Sequence, residues 1–207
     1  MTQLTLPTPG TAPGTAPDAV PATAPGSRPP AVVVLTGNPR PGSRTAAAAR
    51  AVGERLTAWL QPAGAAAAGA APVPAEVDLA DLAPELLAAE HPRADAALRT
   101  VAAADVLVVA TPVHKASFTG LLKAFLDLYG PRGLAGVVAV PVVVPGDPAH
   151  ALVGEVHLRP VLVELGAVVP TRSLVVTAGD LPALDDHLAA WWATDGAALR
   201  AATGGAR

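Results

Sequence analysis

The chain has 207 residues, 51% of them hydrophobic and 15% charged, with a formal net charge of −3. That length and apolar content suit one ordinary domain, while the mild acidity and 3% aromatic residues offer neither the basic stripe nor the stacking rings of a nucleic-acid binder. The lack of cysteine excludes disulfides, metal thiolates and a cysteine nucleophile, and no apolar run approaches the roughly 20 residues of a membrane span.

Residues 1–30 are rich in Pro, Thr, Ala and Gly, with little to bury, and read as a disordered leader. They lack the basic start and continuous apolar stretch of a secretory signal, so the expected location is cytoplasmic. The domain is expected over 31–200. It opens with a strand at 31–36, the loop 37–43 and a helix at 44–60 that carries Ala48, Val52, Leu56 and Leu60 at helical spacing. An Ala/Gly/Pro-rich connection at 62–72 leads to a strand at 73–79, weakened by Pro74. A helix at 95–103 precedes a strand at 105–110, whose continuous apolar run predicts burial on both faces.

A helix at 119–129, a strand at 137–144 and a helix at 148–166 follow. Pro160 lies inside that helix, where it removes an N–H and crowds the carbonyl four residues back, which predicts a kink or π-bulge near 155–160. Leu152, Val156 and Val163 form an exposed apolar face there. His150 and His157 are expected on one helical face, in an interface rather than on a metal. A strand at 174–177, a helix at 181–199 with Trp191 and Trp192 as packing anchors, and a flexible tail at 201–207 complete the chain. Strict alternation of strands and helices means a parallel sheet covered on both faces, with ligands at the carboxyl ends of its strands. The loops 37–43, 111–118 and 144–148 leave those ends.

The first loop runs Gly37-Asn38-Pro39-Arg40-Pro41-Gly42-Ser43-Arg44-Thr45. Its glycines allow close backbone approach, and it adds the hydroxyls of Ser43 and Thr45, the guanidiniums of Arg40 and Arg44, and the free N–H groups of a helix start. Such a loop suits a phosphate monoester, although an ordinary strand-to-helix turn uses the same residue types. It is no P-loop, since Ser43 follows Gly42 where lysine is required, and no dinucleotide fingerprint, since Pro39 stands at the second glycine.

The second loop and its helix read Thr111-Pro112-Val113-His114-Lys115-Ala116-Ser117-Phe118-Thr119-Gly120-Leu121-Leu122-Lys123-Ala124-Phe125-Leu126-Asp127. This resembles the T-P-x-Y-x-x-x-x-x-G-x-L-K-x-x-x-D signature of the NADPH-dependent FMN reductases, a flavodoxin-like family. It is most similar to the branch that supplies reduced FMN to sulfonate-sulfur monooxygenases. The first loop is similar to that family's phosphate loop, G-S-x-R-x-x-S, with Asn38 in place of serine, and the resemblance extends from about Ala31 to Gly166. It implies a flavodoxin-like doubly wound, five-stranded parallel sheet of order 2-1-3-4-5, with helices on both faces. It also implies FMN as cofactor, NADPH or NADH as hydride donor, a flavin-dependent monooxygenase as partner, and a homodimer or homotetramer with a widened helical turn at its interface.

The implied flavin contacts are Asn38, Arg40, Ser43, Arg44, Thr45, Pro112, Val113, His114, Lys115, Ser117, Phe118, Gly146 and Asp147. His114 stands where the family has tyrosine, and Pro145-Gly146-Asp147-Pro148 where it has a Gly-Gly or Gly-Thr turn, so Gly146 can offer its N–H while Asp147 brings a carboxylate toward the flavin.

Without the family, Pro112 and Val113 form a stiff apolar turn able to lie against a flat ring, and the N–H groups of 114–118 are candidate donors to it. Lys123 and Asp127 read as an exposed i,i+4 pair. No side-chain acid, base, nucleophile or metal ligand is required, because the protein's task is to stack two rings and tune one with N–H dipoles. Alternatives are a quinone, azo-dye or chromate reductase that keeps its FMN, a flavodoxin-like electron carrier, for which −3 is mildly charged, or a protein that keeps the fold without the flavin.

Overall fold

The computed structural model describes residues 28–61 and 72–204. Nearly all of the expected leader, most of the 62–72 connection and the end of the expected tail lie outside the described residues.

Five strands, β1 (Val32–Thr36), β2 (Ala75–Asp78), β3 (Val106–Pro112), β4 (Val138–Val144) and β5 (Leu174–Val175), form one parallel sheet of order β2-β1-β3-β4-β5. The three central strands are almost wholly buried because side chains alternate between two cores. Val32, Val34, Val106, Val108 and Val140 face α1 (Arg44–Trp59) and α5 (Leu184–Gly204). Val33, Leu35, Leu107, Val109 and Ala139 face α2 (Pro92–Ala102), α3 (Gly120–Leu126) and α4 (Arg159–Glu164). The register aligns Thr36 with Ala110 and with Asp78, and Pro112 with Val144, so the carboxyl ends of β1 to β4 open on one side of the sheet.

Several boundaries differ from expectation. Helix α2 starts at Pro92 rather than Asp95, since proline in a first turn lacks only an N–H that would be orphaned anyway. Strand β3 continues through Thr111 and Pro112, residues expected in a loop. Residues 201–204 belong to α5 rather than to a flexible tail.

The helix expected over 148–166 is broken into a 3-10 turn at Pro148–His150, a π-helical turn at Gly154–Leu158 and then α4. In the π-turn the Arg159 N–H bonds the carbonyl of Gly154, five residues back. Pro160 has no N–H for the carbonyl of Val156, so the wider turn meets the proline at the start of a new helix. His150 and His157 thus sit in different helical segments and share no continuous α-helical face. Gly154 is required by packing: a Cβ there would lie 2.4 Å from Ser173 Oγ and 2.8 Å from Val143 Cγ2.

Trp191 is buried with its Nε1–H donating to Arg172 O, and Trp192 stacks on Trp59 at 4.8 Å, as packing anchors do. No described helix is long and apolar enough to cross a membrane.

Candidate functional site

A cleft of about 320 Å³ opens at the carboxyl ends of β1, β3 and β4. Its walls come from the first loop and α1's first turn, together with Pro112 and Val144. Ser43 caps α1, its Oγ accepting from Ala46 N at 3.2 Å, so its hydroxyl proton stays free to donate. Arg40 and Arg44 are exposed, and neither pairs with a carboxylate among the described residues. Positive side chains, helix N–H groups and the α1 dipole therefore converge there without a counter-charge.

Asn38, expected to contact a ligand directly, is 4% exposed and spends its side chain inside the loop. Its Nδ2 donates to Thr45 Oγ1 at 3.0 Å and its Oδ1 accepts from Arg40 N at 3.0 Å, which folds the loop back and sets the direction of Arg40. Thr45 is buried and keeps its own hydroxyl proton.

The second loop is a tight hairpin. His114 N donates to Ser117 O at 2.8 Å and Ser117 N to His114 O at 3.2 Å. Lys115 and Ala116 take positive φ values of 52° and 60°, the pair of left-handed residues that a type I′ turn needs, here without glycine. Of the expected donors at 114–118, the N–H groups of His114 and Ser117 are therefore consumed by the turn. Val113 is half-buried and His114 exposed, while Phe118 packs against the core of the α2–α3 face rather than facing the cleft. In the third loop Asp147 turns its carboxylate to cap the 3-10 turn, Oδ1 accepting from Ala149 N at 2.9 Å, and lines no part of the cleft. Gly146 is exposed and also lies off the cleft's lining.

Two threonines that are not among the expected flavin contacts tie the loops together. Thr119 caps α3 by accepting from Leu122 N at 3.1 Å and donates its hydroxyl to Gly37 O at 2.5 Å. Thr111 Oγ1 accepts from Thr119 N at 3.3 Å and donates to Pro112 O at 2.9 Å. Gly37 has no room for a side chain, since a Cβ would lie 2.7 Å from Leu122 Cβ. A threonine before a helix is a legible cap signal, but nothing local marks its bond to the first loop. Lys123 and Asp127 form the expected exposed pair at 2.5 Å, away from the cleft.

Beside the site, the π-turn is anchored by Glu155. Its carboxylate accepts from Arg159 Nε at 2.6 Å and from Ser173 N at 2.5 Å, and Arg159 also donates to the carbonyls of Val169 and Thr171. Burial alone raises the Glu155 carboxyl, but the Arg159 guanidinium and the Ser173 N–H outweigh it and hold it at about 2.

Residues 30–180 match the family described as NADPH-dependent FMN reductase. The chain is 34% identical over 137 residues to the NADH-dependent FMN reductase SfnF of Pseudomonas putida, a match covering 62% of this chain and 67% of that protein. Shorter matches, 49% identical over 67 residues and 48% over 64, relate it to proteins named FMN reductase (NADPH) from Pseudomonas putida and Escherichia coli. They cover 32% and 31% of this chain, which spans 34% of the length of each. Among solved structures, an NADH:FMN oxidoreductase in its apo form aligns with a TM-score of 0.62 and 31% identity, over 78% of this chain and 88% of that one. A WrbA-like flavodoxin from Agrobacterium tumefaciens, at a TM-score of 0.54 and 15% identity over 82% of this chain and 97% of its own, shares the fold. With a five-stranded sheet in flavodoxin order and a family match over most of its length, the chain belongs to the NADPH-dependent FMN reductase family.

Proposed function

We propose that this chain is an NAD(P)H-dependent FMN reductase that binds flavin reversibly and supplies reduced FMN to a separate flavin-dependent monooxygenase. The observation that carries the reading is the unpaired couple Arg40 and Arg44 above the start of α1, where a phosphate dianion balances both charges. The residues fit the group: Ser43 and Thr45 retain hydroxyl protons, and α1's first N–H groups have no helical acceptor.

In this reading Ser43, Arg40 and Arg44 hold the phosphate, and Asn38 and Thr45 keep the loop in shape. Pro112 and Val144 present apolar surface beside it, and Val113, His114, Lys115 and Gly146 border the ring from the two neighbouring loops. Bound FMN supplies the hydride-accepting centre, with NADPH or NADH as donor. The chain's own work is orientation and exclusion of water, and it needs no acid or base. These nucleotides are held in the cytoplasm, which is where we place the protein.

Leu152, Val156 and Val163 are 67%, 61% and 55% exposed along the π-turn and α4, and a homodimer or homotetramer covers them. Light scattering tests that assembly: a mass near one subunit, unchanged by FMN, refutes it. The activity is tested by steady-state oxidation of NADH and NADPH with FMN, FAD, riboflavin and a quinone in turn. FMN is expected to be the best acceptor, with protein that purifies largely free of flavin. A stoichiometric flavin that survives dialysis moves the reading to a flavin-retaining quinone reductase or an electron carrier.

A further inference from the structure

A second cavity, about 380 Å³, lies on the opposite flank of the phosphate loop and shares Gly42 and Ser43 with the first. It opens toward β2, where Thr36, Glu76, Asp78, Asp81 and Arg50 line it.

Its charge is unbalanced. Arg50 is spent on Glu76, with Nε–Oε1 at 2.7 Å and a second bond of 2.9 Å. Neither Asp78 nor Asp81 pairs with a cation among the described residues, although Asp78 Oδ1 accepts from Ala80 N at 3.0 Å. Burial pushes the Asp78 carboxyl above its ordinary value, and the charges of Asp81 and Glu76 add to this. Thr36 is a separate observation. It is only 4% exposed, it lines the cavity, and its hydroxyl has no hydrogen-bond partner among the described residues. That hydroxyl is open to the cavity and free to bond a polar group there.

The cavity therefore offers two carboxylate acceptors and the Thr36 hydroxyl, beside the Ser43 it shares with the phosphate loop. No group of three metal-ligating side chains exists among the described residues, which disfavours a cation. Vicinal hydroxyls fit, and carboxylates recognise a ribose diol while repelling a phosphate on it. The sugar chain of the flavin belongs to the first cleft, on the β3–β4 side, so a sugar on the β2 side comes from a second molecule.

We propose that this cavity takes the adenosine ribose of the nicotinamide nucleotide, its hydroxyls bonding Asp78, Asp81 and Thr36, so that NADH is admitted and the 2′-phosphate of NADPH is disfavoured. The proposal rests on the reductase reading above.

Calorimetric titration of the full chain with ADP-ribose and with its 2′-phosphate derivative tests it. ADP-ribose is expected to bind at least tenfold more tightly than the derivative. In Asp78→Asn/Asp81→Asn, which keeps an acceptor for Ala80 N, that ratio falls close to one, and the NADH/NADPH ratio of kcat/KM falls with it. Thr36→Val weakens both probes several-fold. The proposal is overturned if ADP-ribose fails to bind, or if the double variant folds and leaves the ratio unchanged. Should the double variant not fold, an ADP-ribose affinity unchanged in Thr36→Val overturns it. A parallel FMN titration separates the two readings, because loss of FMN binding with ADP-ribose binding intact removes the reductase assignment and leaves the cavity's.

Discussion

The hydroxyl of Thr119 donates to the carbonyl oxygen of Gly37 at 2.5 Å, joining two loops whose residues stand 82 positions apart. Thr119 Oγ1 also caps α3 by accepting from Leu122 N, so one buried side chain fixes both the entry of that helix and the start of the phosphate loop.

Thr119→Val keeps the shape and removes both bonds, leaving Leu122 N and Gly37 O unsatisfied in a buried place. Loss of the cap together with the orphaned carbonyl is expected to cost about 2–4 kcal/mol, with weaker FMN binding because the phosphate loop is no longer held. Urea unfolding checks the stability term, and a midpoint within error of the parent protein would contradict it.

Arg40→Ala and Arg44→Ala each remove a charged donor to the phosphate. FMN affinity is expected to fall by about 1.5–3 kcal/mol per substitution, roughly ten- to a hundredfold, while riboflavin, which lacks the phosphate, loses little. Fluorescence titration with the two flavins distinguishes this from a general disturbance, in which both fall equally.

The hairpin turn at Lys115 and Ala116 holds two side-chain-bearing residues in the left-handed region. Asn-Gly is the pair that best tolerates a type I′ turn, so Lys115→Asn/Ala116→Gly should stabilise the chain by about 1 kcal/mol. Denaturant unfolding measures the gain. A loss of stability would show that the strain is already relieved by the surroundings.

Glu155 links the π-turn to Ser173, and its carboxyl, held at about 2 against an ordinary 4.5, makes that link depend on pH. A depressed native value contributes stability that is fully present above about 4.5 and is lost as pH falls toward about 2. Thermal unfolding followed between those limits should show stability declining with acid. Glu155→Gln should be less stable than the parent at neutral pH and should show a smaller decline, and an unchanged slope would assign the acid sensitivity to other carboxylates.

Much of this protein is decided by local chemistry. Short, continuous, Val-rich runs at β1, β3 and β4 favour strands buried on both faces, and their alternation with helices favours parallel pairing, which puts the three unusual loops at one end of the sheet. Pro160 by itself dictates a defect in its helix, because no proline can donate to the carbonyl four residues back.

What local chemistry leaves open is which polar groups find each other across the fold. The bonds of Asn38 within its own loop, the turn that occupies the N–H groups of His114 and Ser117, and the capping bond of Asp147 are such pairings, and no residue type announces them. The bonds of Thr111 and Thr119 that tie the second loop to the first are equally invisible in the sequence. A polar side chain carries the same bonding capacity in every context, and only burial among specific neighbours decides whether it is spent inside the protein or left for a ligand.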